Sequence, residues 1–569
     1  TAAGRIPADL VISGGIIADV YSGSFIPADM AVTGGFVAAC GEPGSYKGAE
    51  TFDARGQYIL PAFIDSHIHI ESSFLSPPAF CRIALPRGTG TIIADPHEIV
   101  NVCGLEGLRY MLDSSSGLPM DIKFMVPSCV PFSSFENSGA VLNAPDLEAP
   151  LQNGRILGLG EMMDYPGVIA AKDGPLDKIV LALNKGKMVD GHSPGVSGKD
   201  LRAYAAAMIR TDHECSTPEE FNERLSRGMY VLLRHGSACR DLPRLLSCVT
   251  PENSRRCLLC TDDGQSETIL KEGLIDNDLR ICVEGGLDPM TAVRMATLNA
   301  AECYGLKDRG GFAPGMRADI AVVDGLKSFT VSRVYMMGKL CAENGRYLLP
   351  VKEFAAKGVA GGMRVKDFSA KKLELPLSRD EVYVIDLQKG SVVTGKGRAK
   401  VRRDAQGLFV FDGAAGIAKI AVVERHKNTG NVGVGLIRGY GIREGAVALS
   451  VGHDSHNITA AGANDADMVL AVRRIIDLGG GAVLVKNGVV IEELPLPIGG
   501  LMCGEPGEWV AAKLEAINKK AVEELGVSKE VEPLMTLCFM PLLVIPELKI
   551  SDQGLFDVKE FKFIKSEIL

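Results

Sequence analysis

Between residues 61 and 312 the chain repeats one pattern, in which a short apolar run ending in a polar residue is followed by an amphipathic stretch. The apolar runs are TIIAD, KFMVP, ILGLGE, MVDGH, MYVLLRH and CLLCTDD, and the clearest helical stretches are SGKDLRAYAAAMIR and PEEFNERLSRG. Strands alternating with helices over about 250 residues predict an α/β fold, a parallel (β/α)8 barrel of the TIM type. We expect this barrel to span residues 61–312, with its chemistry where the strands end.

A second pattern flanks this block on both sides. Within residues 8–40, the similar segments ADLVISGGIIADV and ADMAVTGGFVAAC combine period-2 alternation with Gly-Gly pairs. They predict two β hairpins with Gly-Gly turns. Related runs, ADIAVVDG and TVSRVYMMGKL, occur within residues 318–340. We therefore expect a small composite β domain, built from residues 1–60 and 313–365.

A third region follows a Lys-rich stretch at residues 357–372. From there the pattern mixes strands with helices, and DADMVLAVRRIIDLGGG predicts a helix that ends at glycines. We expect residues 366–569 to form a C-terminal α/β domain.

Composition narrows the class of protein. Hydrophobic residues make up 46% of the 569 residues, and the formal net charge is −9. This charge argues against duplex nucleic acid and anionic membranes as partners, whereas a small-molecule substrate remains possible. The apolar stretch 534–545 is interrupted by Pro541 and is shorter than the roughly 20 residues of a membrane span. Fourteen scattered cysteines and an N-terminus without a signal-peptide pattern predict a cytoplasmic location.

Histidines and acids close the strand-like runs of the barrel block. His67 and His69 are two residues apart in FIDSHIHIE, so on a strand both imidazoles share one face. Six of the nine histidines of the chain close such runs: His67, His69, His97, His192, His213 and His235. Glu161 ends ILGLGE, and Asp262 follows the most apolar run of the second half. Taken singly, each of these residues also fits a solvated strand end.

In strand order the series is HxH, Glu, His, His and Asp, which matches the ligands of hydrolytic binuclear metal sites. We predict two divalent cations that share Glu161. One would be held by His67, His69 and Asp262, and the other by His192 and His213. Manganese is the expected ion, with iron and zinc as alternatives, because imidazole and carboxylate suit all three.

Several longer motifs resemble one family. They are PAFIDSHIHIESSFLSP, TIIADPHEIVNVCG, LGLGEMMDYPGVI, DGHSPGVSGKDLRAY, RTDHECST, CTDD, ATLNAAECYGLKDRG, APGMRADIAVVD, SVGHDSHNITAAGANDADM and ELPLPIGGLM. Nearly the whole chain resembles the bacterial adenine deaminases of the amidohydrolase superfamily. The resemblance implies hydrolysis of adenine to hypoxanthine and ammonia by two divalent metals, as in purine salvage. We also expect a homo-oligomer.

The expected mechanism needs two kinds of carboxyl group. Asp262 beside the activated water can accept a proton and pass it to the leaving amine. An unligated acid should serve a ring nitrogen, and Glu98 and Asp95 in ADPHEI are the candidates, with Glu98 expected to have a raised pKa. Both also fit a helix cap and a first-turn acid.

Residues beside the ligands are candidates for substrate binding. Ser193 follows the ligand His192, Asp263 follows Asp262, and His235 ends its own strand-like run. The chain departs from the family pattern at His235, where a carboxylate is expected, and at Gly264 and Gln265, where the usual pair is basic. These departures bear on the substrate, not on the metal ligands.

Other interpretations remain open. The GHDSHN segment, with His453, Asp454, His456 and Asn457, either contributes to the active site or caps a helix. A cyclic-amide hydrolase related to dihydroorotase or hydantoinase is the second candidate function, although such enzymes usually bridge their metals with a carboxylated Lys. A noncatalytic barrel scaffold is the third. The compact zinc deaminases are excluded, because their PCxxC signature does not occur.

Overall fold

The computed structural model describes residues 1–351 and 354–568, and its first sheet is built from two distant parts of the chain. The strand Ile320–Val323 pairs antiparallel with Tyr58–Pro61, which joins the two parts. The nine strands are Ala8–Asp19, Ser24–Thr33, Phe36–Gly41, Gly48–Asp53, Tyr58–Pro61, Ile320–Val323, Val331–Met336, Lys339–Glu343 and Arg346–Tyr347. Two residues of the predicted range 313–365, at positions 352 and 353, lie outside the described residues, as does residue 569 of the C-terminal range.

Only one of the two Gly-Gly pairs forms a hairpin turn. Gly34 and Gly35 have φ values of 60° and 86° and connect Ser24–Thr33 to Phe36–Gly41. The pair Gly14–Gly15 lies inside Ala8–Asp19, at a register shift of its ladder with the next strand, so the predicted turn there is wrong. Gly14 has a φ of 71° and its N–H donates to Asp29, so the pair forms a β-bulge, which glycine accommodates without a Cβ clash.

The central block contains eight parallel strand segments in a curled arrangement consistent with a TIM-type barrel. They are Phe63–His69, Thr89–Ala94, Asp121–Val126, Ile156–Met162, Met188–Gly191, Thr211–Asp212, Tyr230–Arg234 and Cys257–Cys260, the last continued by Asp262–Asp263. Six of these pieces form one parallel sheet, in which Asp262–Asp263 pairs with the first strand. The other three form a second sheet, and Arg210 donates its backbone N–H to Val189 across the junction between the fifth and sixth strands.

Helices alternate with these strands, as the sequence predicts. They are Pro77–Ala84, His97–Cys103, Leu105–Ser114, Ala144–Leu147, Tyr165–Ile169, Asp173–Asn184, Gly198–Ala206, Pro218–Ser226, Leu242–Leu245, Ser266–Lys271, Ile275–Glu284, Pro289–Met295 and Leu298–Cys303. Short 3-10 helices are Ile70–Ser73, Leu85–Arg87, Pro150–Gln152, Leu246–Cys248 and Ser254–Arg256 in the barrel block and Ala370–Leu373 and Gly413–Ala415 beyond it.

The C-terminal region is built on a mainly antiparallel sheet of eight strands. In spatial order these are Thr394–Lys400, Glu381–Leu387, Val432–Arg438, Ile417–Val423, Ile458–Gly462, Ala446–Leu449, Gly481–Lys486 and Val489–Pro495. Smaller ladders join Arg402–Arg403 to Phe409–Val410, and Leu548–Ser551 to Gly554–Asp557 and Lys562–Phe563. The helices are Asp465–Leu478, Gly507–Glu523 and Pro533–Cys538.

The predicted helix of this region is confirmed as Asp465–Leu478. The side chain of Asn464 accepts a hydrogen bond from the N–H of Asp467 and caps its start. Gly479 ends it in the left-handed conformation, with a φ of 75°. The face with Met468, Val472 and Ile475 is buried against the sheet.

The C-terminal region packs on the barrel through apolar and polar contacts. One continuous core contains side chains from both, including Leu75 of the barrel and Cys503 and Phe539 of the C-terminal region. The backbone of Cys503 donates to Phe74 and accepts from Ser76. This contact places C-terminal segments beside the ends of the barrel strands.

All 14 cysteines carry free thiols, and most of these are buried. Among the helices of the described segments, none combines the length and the hydrophobicity required to cross a bilayer. The cytoplasmic location stays a prediction.

Candidate active site and metal centre

The structure brings the six predicted metal ligands together where the barrel strands end. His67 and His69 project from one face of the first strand, and Glu161 comes from the fourth. His192 and His213 directly follow the fifth and sixth strands, and Asp262 continues the eighth. Their donor atoms form overlapping groups of three, each within 4.8 Å: His67–His69–Glu161, His67–His213–Asp262 and Glu161–His192–His213.

Glu161 lies at the centre of this cluster. Its Oε1 is 3.3 Å from His69 Nε2 and 3.9 Å from His67 Nε2. Its Oε2 is 2.8 Å from His192 Nδ1 and 3.3 Å from His213 Nε2. Each carboxylate oxygen therefore faces a different pair of the predicted ligands, as a bridging carboxylate requires, and His97 Nδ1 also lies 3.3 Å from Oε1.

Asp262 faces the first histidine pair. Its Oδ1 lies 3.2 Å from His69 Nε2 and 3.5 Å from His67 Nε2, and its Oδ2 accepts a hydrogen bond of 2.8 Å from Arg234 Nη1. Asp262 has a φ of 61°, which is rare for a residue with a Cβ. Such strained backbone is typical of functional sites, where surrounding contacts impose it.

The surroundings of the two central carboxylates favour their ionised forms. Burial acts to raise the pKa of Glu161, but hydrogen bonds from His192, His213 and His69 hold it well below its usual range. Burial likewise opposes ionisation of Asp262, but His67, His69 and Arg234 lower its pKa well below the ordinary value. Both groups are thus suited to bind cations.

The donor set fits divalent metal ions. His67 Nε2 and His192 Nε2 are buried and, within the described residues, have no hydrogen-bond partner. Burial lowers the pKa of His67, which favours the neutral imidazole that binds metals. Burial acts in the same direction on His69, His192 and His213, but neighbouring carboxylates raise their pKa values, so cations would displace protons from these three rings. Uncharged imidazoles and ionised carboxylates are ligands for manganese, iron and zinc alike.

Asp95 contacts two residues of the cluster from the side away from the cavity. Its Oδ2 accepts a hydrogen bond of 2.9 Å from the backbone N–H of Glu161, and its carbonyl oxygen lies 2.8 Å from His69 Nδ1. It does not line the cavity beside the cluster. Asp95 therefore orients two of the predicted ligands and lies outside the cavity, contrary to the expectation from its place in ADPHEI.

Glu98 lines the cavity but does not have the raised pKa expected of it. His453 Nδ1 lies 2.7 Å from its Oε1, and His456 Nε2 contacts its Oε2. Burial acts to raise the pKa of Glu98, but His453, His456 and His97 hold it well below the usual range. Two of these histidines come from the C-terminal region, so the local sequence around Glu98 could not reveal them.

Of the three predicted substrate contacts, only Asp263 lines the cavity. Asp263 lines the cavity and accepts a hydrogen bond from Ser72 Oγ. Ser193 is fully buried, where its hydroxyl donates to Asp212 and its carbonyl accepts from Arg224. His235 does not line the cavity, and its backbone N–H donates to Cys260 in the neighbouring strand. Ser193 and His235 thus form hydrogen bonds within the wall of the barrel and do not contact the cavity.

Sequence reasoning missed Arg234 and Glu214. Arg234 Nη1 contacts both Asp262 and Glu214, at 2.8 and 2.5 Å, and Glu214 Oε1 is 3.3 Å from His213 Nε2. Both line the cavity. The strand-end rule could have found Arg234, because it is the last residue of its strand, one position before His235.

His97, Asp454 and the C-terminal histidines complete the surroundings. His97 Nδ1 is 3.3 Å from Glu161 Oε1, and His97 Nε2 is 3.8 Å from Asp454 Oδ1. The GHDSHN segment therefore contributes to the cavity wall, and because it connects two strands it does not cap a helix. The cavity has a volume of about 900 Å³ and is lined by strand ends of the barrel and by C-terminal residues such as Val392, Phe539 and Leu542.

The chain is similar to known proteins over its whole length. Residues 391–562 match the adenine deaminase C-terminal domain, and residues 58–341 match the amidohydrolase family. The chain is 53% identical to adenine deaminase 2 of Desulfotalea psychrophila, over 100% of this chain and 98% of that protein. It is 50% identical to adenine deaminase of Ligilactobacillus salivarius, over 100% of this chain and 98% of that protein.

Among solved structures, it is similar to a β-aspartyl dipeptidase from Fervidobacterium islandicum AW-1, at 18% identity and a TM-score of 0.46, over 60% of this chain and 99% of the other. The family assignment comes from the full-length relatives and the two matched families. The chain belongs to the adenine deaminase family of the amidohydrolase superfamily.

Proposed function

We propose that the chain hydrolyses adenine to hypoxanthine and ammonia. The observation that carries this proposal is the position of Glu161, whose two oxygens face separate histidine pairs. It stands in a cavity of a chain whose relatives are adenine deaminases over their full length. A donor cluster suited to a binuclear hydrolytic site and full-length relatives named adenine deaminase support the same reaction.

Two divalent ions, with manganese as the preferred metal, would be held by His67, His69, Glu161, His192, His213 and Asp262. When bound, they would lower the pKa of a water molecule so that it can attack at neutral pH, and they would polarise the bonds of the ring carbon that carries the amino group. The unpartnered Nε2 of His67, which faces Glu161 and Asp262, supports this proposal, because buried imidazole nitrogens otherwise find hydrogen-bond donors or acceptors.

Asp262 is the proposed acceptor of the water proton. It is ionised, and its Oδ1 faces the histidine pair while Arg234 holds its Oδ2. It can then return this proton to the departing amine. Asp263, which lines the same wall, is the proposed hydrogen-bond partner of the purine edge.

The free base is the proposed substrate. This preference rests on the family, because a cavity of about 900 Å³ is large enough for either a base or a nucleoside. We expect the specificity constant for adenine to exceed that for adenosine by at least about 100-fold, the effect of a few kcal/mol of differential binding. Comparable constants for the two compounds would contradict the free-base proposal.

The division into domains is also a proposal. Residues 1–60 with 313–365 would be the composite β domain, 61–312 the catalytic barrel and 366–569 the C-terminal domain. The pairing of Ile320–Val323 with Tyr58–Pro61 supports the first of these. The homo-oligomeric state stays a prediction.

The proposal is tested with protein purified in excess manganese. We expect ammonia release from adenine, little from cytosine or dihydroorotate, and about two divalent ions per chain by elemental analysis. Trace metal with full activity would exclude the binuclear site. Hydrolysis of dihydroorotate in place of adenine would favour the cyclic-amide alternative.

A further inference from the structure

The C-terminal region sends one segment, residues 452–457, into the barrel cavity. The segment connects the strands Ala446–Leu449 and Ile458–Gly462 of the C-terminal sheet. His453 and Asp454 of this segment line the cavity together with Glu98 and Asp263. The mechanism above uses neither of them.

His453 is held in one orientation. Its Nδ1 donates to Glu98 Oε1 over 2.7 Å, and its ring stacks on Phe539, with centroids 4.8 Å apart and an interplanar angle of 23°. Because Nδ1 is engaged, Nε2 is the nitrogen left for a ligand. The structure shows no partner for His453 Nε2 within the described residues.

Glu98 is occupied on both oxygens. His453 bonds Oε1, and His456 contacts Oε2. His456 Nδ1 accepts the backbone N–H of Gly452, so its Nε2 carries the hydrogen that faces Glu98. An imidazole therefore lies against each oxygen of Glu98, which leaves neither oxygen free for carrying a proton to a substrate.

We propose that His453, not Glu98, delivers the proton to the purine ring nitrogen, with Glu98 as the residue that positions it. The inference rests on the proposed deamination of adenine. It makes the C-terminal region part of the catalytic apparatus, since a carboxylate–imidazole pair is a proven arrangement for proton transfer.

The charges around His453 support this assignment. The carboxylates of Glu98, Asp263 and Asp454 face it, while His456 is the neighbouring imidazole. Burial acts to lower the pKa of His453, but these carboxylates, Glu98 first, raise it to about 9. The imidazolium form is therefore available at neutral pH.

The proton balance of the step is complete. As the water oxygen bonds to the ring carbon that bears the amino group, the proton on His453 Nε2 moves to the adjacent ring nitrogen. The proton that Asp262 takes from the attacking water then passes to the amino group, and the carbon–nitrogen bond breaks with release of ammonia. The proton of the new hydroxyl group restores His453 as the carbon–oxygen double bond forms, so adenine plus water gives hypoxanthine plus ammonia.

The test compares His453→Gln with wild type. Gln can still donate to Glu98 but cannot transfer a proton. We expect kcat to fall by roughly 10²–10⁴-fold while KM, metal content and melting temperature stay close to wild type. In His453→Ala, added imidazole should restore part of kcat, which a merely structural role would not allow. His235→Gln removes a buried histidine that does not line the cavity and serves as the matched control.

The pH profile of wild type gives a second measurement that needs no variant. We expect kcat to decline above a pKa near 9, as His453 loses its proton. A kcat that stays constant to pH 10.5, or a His453→Gln variant with a kcat within about threefold of wild type, overturns the inference. A wild type that does not deaminate adenine would instead contradict the proposed function.

Discussion

Single buried charges decide much of the chemistry of this chain. Glu161 is 3% exposed and stands among four imidazoles of His67, His69, His192 and His213. In the proposed binuclear site its negative charge would allow two cations to approach each other, because like charges a few ångströms apart repel strongly in a buried site.

We expect Glu161→Gln to lower kcat by at least about 100-fold and to reduce the metal content, with a smaller effect on the melting temperature. Gln keeps the volume and loses the charge that the cations need. Activity assays with elemental analysis measure both effects. The exposed Glu148→Gln is the control. A normal turnover number with a normal metal content would contradict the bridging role.

Lys549 is a second buried ionisable residue, and its described hydrogen bonds go to backbone carbonyls and not to acidic side chains. Its Nζ donates to the carbonyls of Val392 and Phe539, both at 2.9 Å, and burial lowers its pKa to about 7. Val392 and Phe539 line the cavity, so this lysine fixes part of its wall.

Lys549 should make stability depend on pH. An unfolded lysine has a pKa of about 10.4, so between pH 7 and 10 the unfolded state binds more protons and the free energy of unfolding rises with pH. Lys549→Met lacks this gain. The melting temperature of the variant relative to wild type should therefore fall from pH 7 to pH 10, in a thermal-shift series. The exposed Lys389→Met should show a constant difference. A constant difference for Lys549→Met would contradict the lowered pKa.

At the scale of elements, local signals predicted most strands and helices. Asn464 and Gly479 begin and end the helix Asp465–Leu478 as capping rules require. The first Gly-Gly pair shows the limit of such rules. The Gly14–Gly15 pair predicts a turn. It instead lies inside the strand Ala8–Asp19, because this strand pairs with Ser24–Thr33 on one side and with Gly48–Asp53 on the other.

The Asn464 cap gives a prediction for this helix. Asn464→Ala should lower the free energy of unfolding by about 1 kcal/mol, because the N–H of Asp467 loses its acceptor. Asn464→Ser, which keeps an acceptor oxygen, should stay close to wild type. Urea denaturation measures both. Equal stability of the Ala variant and wild type would mean that water replaces the cap without cost.

At the scale of the whole molecule, the barrel and the C-terminal region brace each other. Asp552 accepts hydrogen bonds from the backbone and side chain of Asn137 in the barrel, at 3.1 and 2.7 Å, and from Asn431. The side chain of Asn457 donates to the carbonyl of Asn137. These bonds join a barrel loop to the segment that carries His453.

We expect Asp552→Ala to loosen this contact and to lower kcat, although Asp552 does not line the cavity. Each lost bond to the buried carboxylate removes roughly 1.5–3 kcal/mol. Hydrogen–deuterium exchange should quicken in residues 133–143 and 452–457. The exposed Asp477→Ala should leave both regions unchanged. Unchanged exchange in Asp552→Ala would show that apolar packing alone holds the interface.

The sequence by itself determined the parallel strands of the central block, the helix Asp465–Leu478 and the identity of six candidate ligands. These follow from period, capping and the rule that barrel chemistry lies at strand ends, all of which are local. His67 and His69 are the clearest case, because two positions on one strand must share a face.

The tertiary structure alone decided which acids touch the substrate cavity and in which charge state. Asp95 lies outside the cavity and bonds the backbone of Glu161. Arg234, and not His235, contacts Asp262. Glu98 contacts His453 and His456, which come from a region some 350 residues away in the chain. A pKa depends on every charge within a few ångströms, and those neighbours come from long-range packing that no local pattern encodes.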